Sequence, residues 1–201
     1  MPYKPHKPHK PYKPYMPYKF YKFYILLAAL LLVACSDDMV SNKYCNLPAR
    51  FSFSPVQSIS QLYTSCESMG EWCTITLTLD DKLQFAKPTG TPGEWPRTKM
   101  EGYTGFYMGL SGFIVGLPNI PEVGEMFSVV TCYDLACRNC YEDYTVSRRM
   151  SLLEGGYARC SRCQRTYDLN NTGQVSQGTP GNPLFRYRVY YGNSTLSINN
   201  P

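Results

Sequence analysis

The sequence predicts a mainly β domain carrying a two-knuckle, zinc-ribbon-like subdomain that binds a metal through four cysteines. Three observations lead there. Short alternating or β-branched runs recur along the chain with Gly, Pro, Asn and Asp clustered between them. Helical periodicity is weak nearly everywhere, and residues 58–69 are the best helical stretch. Two matched pairs, Cys137-Arg-Asn-Cys140 and Cys160-Ser-Arg-Cys163, form a C-x2-C-x19-C-x2-C pattern.

Residues 1–15 are a low-complexity triplet repeat. Proline recurs at Pro2, Pro5, Pro8, Pro11 and Pro14, with lysine two places after most of them and Tyr or His between. Such a segment predicts extended polyproline II with no core of its own. The period runs on through Phe20 and Phe23 into an apolar stretch. A repeat that ignores the boundary of a functional element is what repetitive DNA upstream of the true start would give. Met16 is therefore the expected initiator, against a genuine basic arm beginning at Met1. Residues 16–34 then read as a signal peptide. Lys19 and Lys22 precede the ten apolar residues 25–34, a run too short to span a bilayer as a helix but suited to a secretory h-region. Leu32-Val33-Ala34-Cys35 resembles a bacterial lipobox, which implies cleavage before Cys35 and lipidation of its thiol. Ser36-Asp37-Asp38 resembles the acidic export tag of Bacteroidetes surface lipoproteins. The resemblance implies an exported protein, lipid-anchored to the outer membrane and open to the cell surface, with residues 35–44 as a linker.

The basic character belongs to the tail. Six of the 20 Lys and Arg residues lie in the first 34, leaving 14 against 15 Asp and Glu thereafter. A nucleic-acid partner read from net charge has no basis in a near-neutral remainder. Residues 45–201 suit one domain with a single core.

Within it, Ile75-Thr-Leu-Thr-Leu79 alternates as a strand and ends at the turn signal Asp80-Asp81. Residues 86–98 hold three prolines and two glycines and predict a long irregular loop. Glycines then recur at 102, 105, 109, 112 and 116 among aromatics, up to Phe113-Ile-Val115. They match no phosphate loop, since no Gly-Lys-Ser/Thr follows. Phe127-Ser-Val-Val-Thr131 predicts a strand leading into the first cysteine pair, and Arg165-Thr-Tyr-Asp-Leu169 one following the second. Turns are expected at Asn170-Asn-Thr-Gly173 and Gly178-Thr-Pro-Gly181. Residues 184–191 and 195–198, joined by Gly192-Asn193, predict a closing hairpin.

Chemistry concentrates in the cysteines. A C-x2-C turn lets both thiolates point at one ion, and two such turns face to face supply the four soft ligands that zinc or iron prefers. Cys137, Cys140, Cys160 and Cys163 are the expected metal ligands; local disulfides and unliganded thiols are the alternatives. Cys45, Cys66, Cys73 and Cys132 are either paired in an oxidising compartment or buried as small apolar residues. Arg138, Arg159, Arg162 and Arg165 are expected to offset the charge of a four-thiolate centre, or else to be plain surface residues. The only histidines, His6 and His9, lie in the tail. Ser-His and Cys-His nucleophiles and His-ligated hydrolytic zinc are thereby removed. A zinc ion with four thiolates has no open position for water, so no catalytic residue is expected.

From residue 127 onward the chain resembles the cluster-binding part of the Rieske iron–sulfur family. There, two hairpin loops each donate a pair of ligands, and the second runs into an aromatic-Asp-Leu strand, a Gly turn, a Gly/Pro loop and a last hairpin. Here Tyr167-Asp168-Leu169, residues 178–183 and residues 184–198 stand in those places. The resemblance implies a Rieske-like antiparallel β-sandwich. This chain departs from the family at the ligands, because Rieske loops carry one histidine each. A four-cysteine site on that scaffold implies one zinc ion, or alternatively a [2Fe-2S] or mononuclear iron centre. Three function classes follow: a non-enzymatic lipoprotein with structural zinc, an electron carrier, or a disulfide-stabilised adhesion or assembly component.

Overall fold

Alternation is cleanest in Ala49–Phe53 (β1), where Ala49, Phe51 and Phe53 are buried and Arg50 and Ser52 face out. A computed structural model describes residues 43–97 and 107–201. The tail, the signal segment, Cys35 and the glycines at 102 and 105 lie outside the described residues. After a single 3-10 turn, Ser60–Glu67 (α1) forms within the expected helical stretch and buries Leu62, Ser65 and Cys66. Trp72–Leu77 (β2) and Lys82–Ala86 (β3) pair as a hairpin. Asp81 in its turn has φ 59°. The predicted strand thus begins earlier and ends at Leu77, leaving Leu79 exposed.

Residues 86–98 are not wholly loop. Gly93–Pro96 (β4) adds to β3, placing Trp95 opposite Leu83 and Lys82 within 2.9 Å of Glu94. Pro96 is tolerated there because β4 is an edge strand among the described residues, which supply no further neighbour for a missing N–H to bond. Tyr107–Met108 (β5) is short. Phe113–Gly116 (β6) and Thr131–Asp134 (β7) follow. The strand expected at 127–131 therefore starts where that stretch ends. Phe127 and Val129 have no sheet face to occupy and are exposed, whereas all four residues of β7 are buried. A strand covered on both faces shows no polar-out alternation, which is why the pattern pointed to the wrong residues.

Arg138–Tyr144 (α2), Ser151–Leu153 (β8), Tyr157–Arg159 (β9), Thr166–Asp168 (β10) and Gln174–Gln177 (β11) build the cysteine-bearing part. Arg186–Tyr187 (β12), Val189–Gly192 (β13) and Thr195–Asn200 (β14) complete the chain. The closing hairpin is β13–β14 only. Its turn is Asn193-Ser194, both at positive φ, as a tight two-residue hairpin loop requires. β12 pairs instead with β7, so the chain passes from one sheet to another at Arg188.

The molecule is mainly β, and every strand pairing among the described residues is antiparallel. Its sheets run β13-β14-β1-β5, β12-β7-β6-β2-β3-β4 and β11-β10-β9-β8. The six-stranded sheet serves two cores through the period-2 alternation of its strands. Cys73, Ile75, Phe113, Val115 and Cys132 join Phe51, Phe53, Leu196 and Ile198 of the β1 sheet, with α1 at one side. Trp72, Ile114 and Tyr133, the intervening residues, join Leu169, Tyr167 and the cysteines of the two C-x2-C pairs.

Candidate metal centre

The first knuckle starts where β7 ends. Asp134 is fully buried, and its carboxylate accepts hydrogen bonds from Leu110 N–H (2.8 Å), Ala136 N–H (2.6 Å) and the Tyr187 hydroxyl (2.6 Å). Gly109, at φ +58°, runs so close to this group that a Cβ would overlap both Asp134 and Tyr187. Burial raises the Asp134 pKa despite these donors. The bond to Ala136 fixes the backbone one residue before Cys137, whose own N–H donates to Arg148 O at 2.8 Å. Cys137 is extended and sits at the N-cap of α2. Cys140 falls in the first helical turn, three residues on and hence on the same side. This knuckle lies on a strand–helix connection, not the hairpin loop that the Rieske resemblance implies for both pairs.

The second knuckle is a hairpin loop. Cys160 follows β9, Cys163 precedes β10, and Gln164 at φ 60° closes the turn by donating its N–H to Cys160 O at 3.0 Å. The two knuckles meet. Cys137 Sγ lies 3.6 Å from Cys163 Sγ, Cys140 Sγ lies 3.7 Å from Cys160 Sγ, and all four sulfurs lie within 4.8 Å of one another. A tetrahedral ion with metal–sulfur bonds of about 2.3 Å sets its sulfurs about 3.8 Å apart. The four residues singled out from spacing can therefore hold a metal ion together. Three are buried and Cys163 is half-buried. Cys35 lies outside the described residues.

Electrostatics act unequally on Cys137, Cys140 and Cys163. Burial pushes the Cys137 thiol up to about 11, even though the Tyr167 hydroxyl and Cys140 N–H favour its thiolate. Burial and the neighbouring Cys160 raise Cys140 further. Burial acts on Cys163 too, but the backbone N–H and guanidinium of Arg165 outweigh it and bring that thiol down to about 7. Arg165 is anchored in turn by Thr179 O (2.8 Å) and Pro180 O. The other three arginines act elsewhere: Arg138 pairs with Glu142, Arg159 bonds Gln164, and Arg162 lies over the Tyr144 ring.

Spacing gave no hint of the groups behind the ligands. Tyr167 Oη lies 3.1 Å from Cys137 Sγ, and Asn139 Nδ2 donates to that same oxygen at 2.9 Å. With Asn139 as donor, the tyrosine keeps its proton for the sulfur. Asn139 also bonds both the N–H (3.0 Å) and the C=O (2.9 Å) of Asn182, clamping residues 178–183 over the knuckle. Gly181 packs so tightly on the Asn139 amide that no Cβ fits. An Asn inside the first C-x2-C and a Gly in the late loop were the available signals, each too common to stand out alone.

The remaining described cysteines are also free. Cys66, Cys73 and Cys132 are buried in the sandwich core and Cys45 packs against it, as small apolar residues do. Burial lifts the Cys66 thiol to about 12 and Cys132 well above its ordinary value. Neither protein-family models nor curated proteins give any match to this chain.

Proposed function

We propose that this chain is an exported lipoprotein, tethered to the outer membrane by lipid on Cys35, whose Rieske-like domain holds one structural zinc ion. Cys137, Cys140, Cys160 and Cys163 are its ligands. The observation that carries this reading is the convergence of four sulfurs within 4.8 Å from two separate knuckles. Zinc bound by four thiolates is coordinatively saturated, so the ion knits α2 to the β9–β10 turn and does no hydrolysis. The buried Tyr167 hydroxyl and the Arg165 guanidinium offset the negative charge of the complex.

The Rieske-like reading is supported by element order after the second knuckle: β10 with Tyr167 and Asp168, the turn at 170–173, β11, and the clamped loop at 178–183. The absence of histidine beyond residue 9 keeps the ligand set all-cysteine. A single iron in the same tetrahedron, giving an electron carrier, is the second reading, because the geometry serves either ion. A [2Fe-2S] cluster has to spread its ligands over two irons, which sulfurs all within 4.8 Å accommodate poorly.

Metal analysis and visible absorption of the purified protein decide between them. One zinc per chain without colour is expected. Iron with colour replaces this reading by the electron carrier. No metal together with loss of free thiols sinks both, and leaves a disulfide-stabilised surface component. Mass spectrometry of the mature N-terminal peptide tests the anchor, with a diacylglyceryl group on Cys35 expected.

A further inference from the structure

The connection from β6 to β7, residues 117–130, presents Ile120, Val123, Met126, Phe127 and Val129 to solvent, with Val123 and Met126 at 107% and 81% exposure. Single exposed apolar residues are ordinary, but five within ten residues mark a contact surface. The base of this loop is fixed while its tip stands free. Glu122 pairs with Lys43 at 2.9 Å and with Arg186, and Val130 packs on the sandwich core. Arg186 and Arg188 both lie against the Tyr44 ring, so three cations gather at the base.

We propose that this loop dips its apolar tip into the phospholipid bilayer beside the anchor and so sets how the domain stands on the membrane. The inference rests on lipidation of Cys35. Lys43, ion-paired to the loop, is eight residues past Cys35. Eight residues reach at most about 28 Å, so a lipid on Cys35 keeps the bilayer close to the loop base. Apolar side chains at the tip with the exposed Lys43 and Arg188 behind them match a membrane interface, acyl chains beneath and phosphates above. Glu122 does not oppose this, since Lys43 and Arg186 pair with it; the exposed Glu125, between Gly124 and Met126, has to stay at the headgroup level.

The test uses the full lipidated chain in vesicles of phosphatidylethanolamine and phosphatidylglycerol, with plain or brominated acyl chains. Phe127→Trp and, separately, Val123→Trp report on the tip; Trp72 is buried and Trp95 half-buried, so the unmodified chain gives the baseline. Loss of the added emission in brominated vesicles, at either position, is expected. Lipid on Cys35 with no loss at either position overturns the loop inference and leaves the anchor standing. Absence of lipid on Cys35 overturns both. A dimer in detergent that becomes monomeric on combined Val123→Ser, Met126→Ser and Phe127→Ser assigns the tip to a second copy and overturns the membrane contact.

Discussion

The two cores on opposite faces of the six-stranded sheet are built from different material. On the sandwich side, aromatic rings interlock: Phe53 with Phe85 at 5.0 Å, Phe113 with Tyr187 at 5.4 Å, Phe53 with Trp95 at 5.6 Å. Its outer sheet is held by the five-residue register of β1 on β14. On the cysteine side the strands of the small sheet run three or four residues. There Trp72, Ile114 and Tyr133 cover the sheet, and the far half of the core is the four clustered thiols with Ala158, Leu169 and Tyr167 around them. Hydrocarbon burial scales with the apolar area removed from water, and the short strands around the four thiols supply less of it than the larger cluster across the sheet. One side of the sheet is therefore held by packing alone, whereas on the proposed reading the other adds an ion at its centre.

The largest expected effect tests that division. On the proposed zinc reading, stripping the ion with a chelator removes a contribution on the order of 10 kcal/mol. Amide hydrogen exchange is expected to rise steeply across residues 137–177 while β2, β3 and β6 stay protected. Simultaneous loss of protection in both regions breaks the comparison, because the sandwich would then depend on the ion. The reverse probe is Phe85→Ala, which removes a fully buried ring and costs roughly 3–5 kcal/mol. Denaturant melts are expected to show that loss, with the folded fraction still carrying one zinc per chain.

A smaller change sharpens the cysteine side alone. Asn139→Ala deletes the donor to Tyr167 and both bonds to Asn182. Loss of a group behind a metal ligand typically weakens affinity about 10–100-fold. Competition with a chromophoric chelator is expected to show that weakening, with the sandwich melt unmoved. Tyr167→Phe, which keeps the ring but removes the proton aimed at Cys137, separates the hydroxyl from the clamp.

What could be read from the chain follows the same division. The clustering of the four cysteines was legible because a C-x2-C pair is a local device, and local geometry is written in spacing. The helix near residue 60, the β2–β3 turn at Asp81 and the β13–β14 hairpin were legible for that reason too. Strand β7 was not, because burial on both faces erases the alternation that marks a strand. Strand β4 was masked by Pro96, which an edge position tolerates, and by Pro88 and Pro92 before it. The passage of the chain from β12 to β13 between sheets leaves no mark in a run of residues that looks like one strand. Asp134 was equally silent: its role is fixed by Gly109 and Tyr187, residues distant in sequence.

The smallest effect concerns the loop base, where the comparison has a pH test. Burial works to raise the Glu122 pKa, but the hydrogen bond from Lys43 and the charge of Arg186 outweigh it and hold it below 4.5. A carboxylate whose folded pKa lies below its unfolded value stabilises the fold above the unfolded pKa. That contribution fades as pH falls through the folded one. Protection of the amides at 128–131 is therefore expected to decline below about pH 4.5. The pair is partly exposed, so the contribution is no more than about 1 kcal/mol. On the proposed reading acid also protonates the metal-binding thiolates, so a fall in pH acts on both cores at once. Glu122→Gln separates them: at neutral pH it is expected to loosen residues 128–131 with zinc retained, and to abolish the acid step there. An acid step that survives in that variant assigns the loosening to zinc loss, and would show that the loop base depends on the metal core across the sheet.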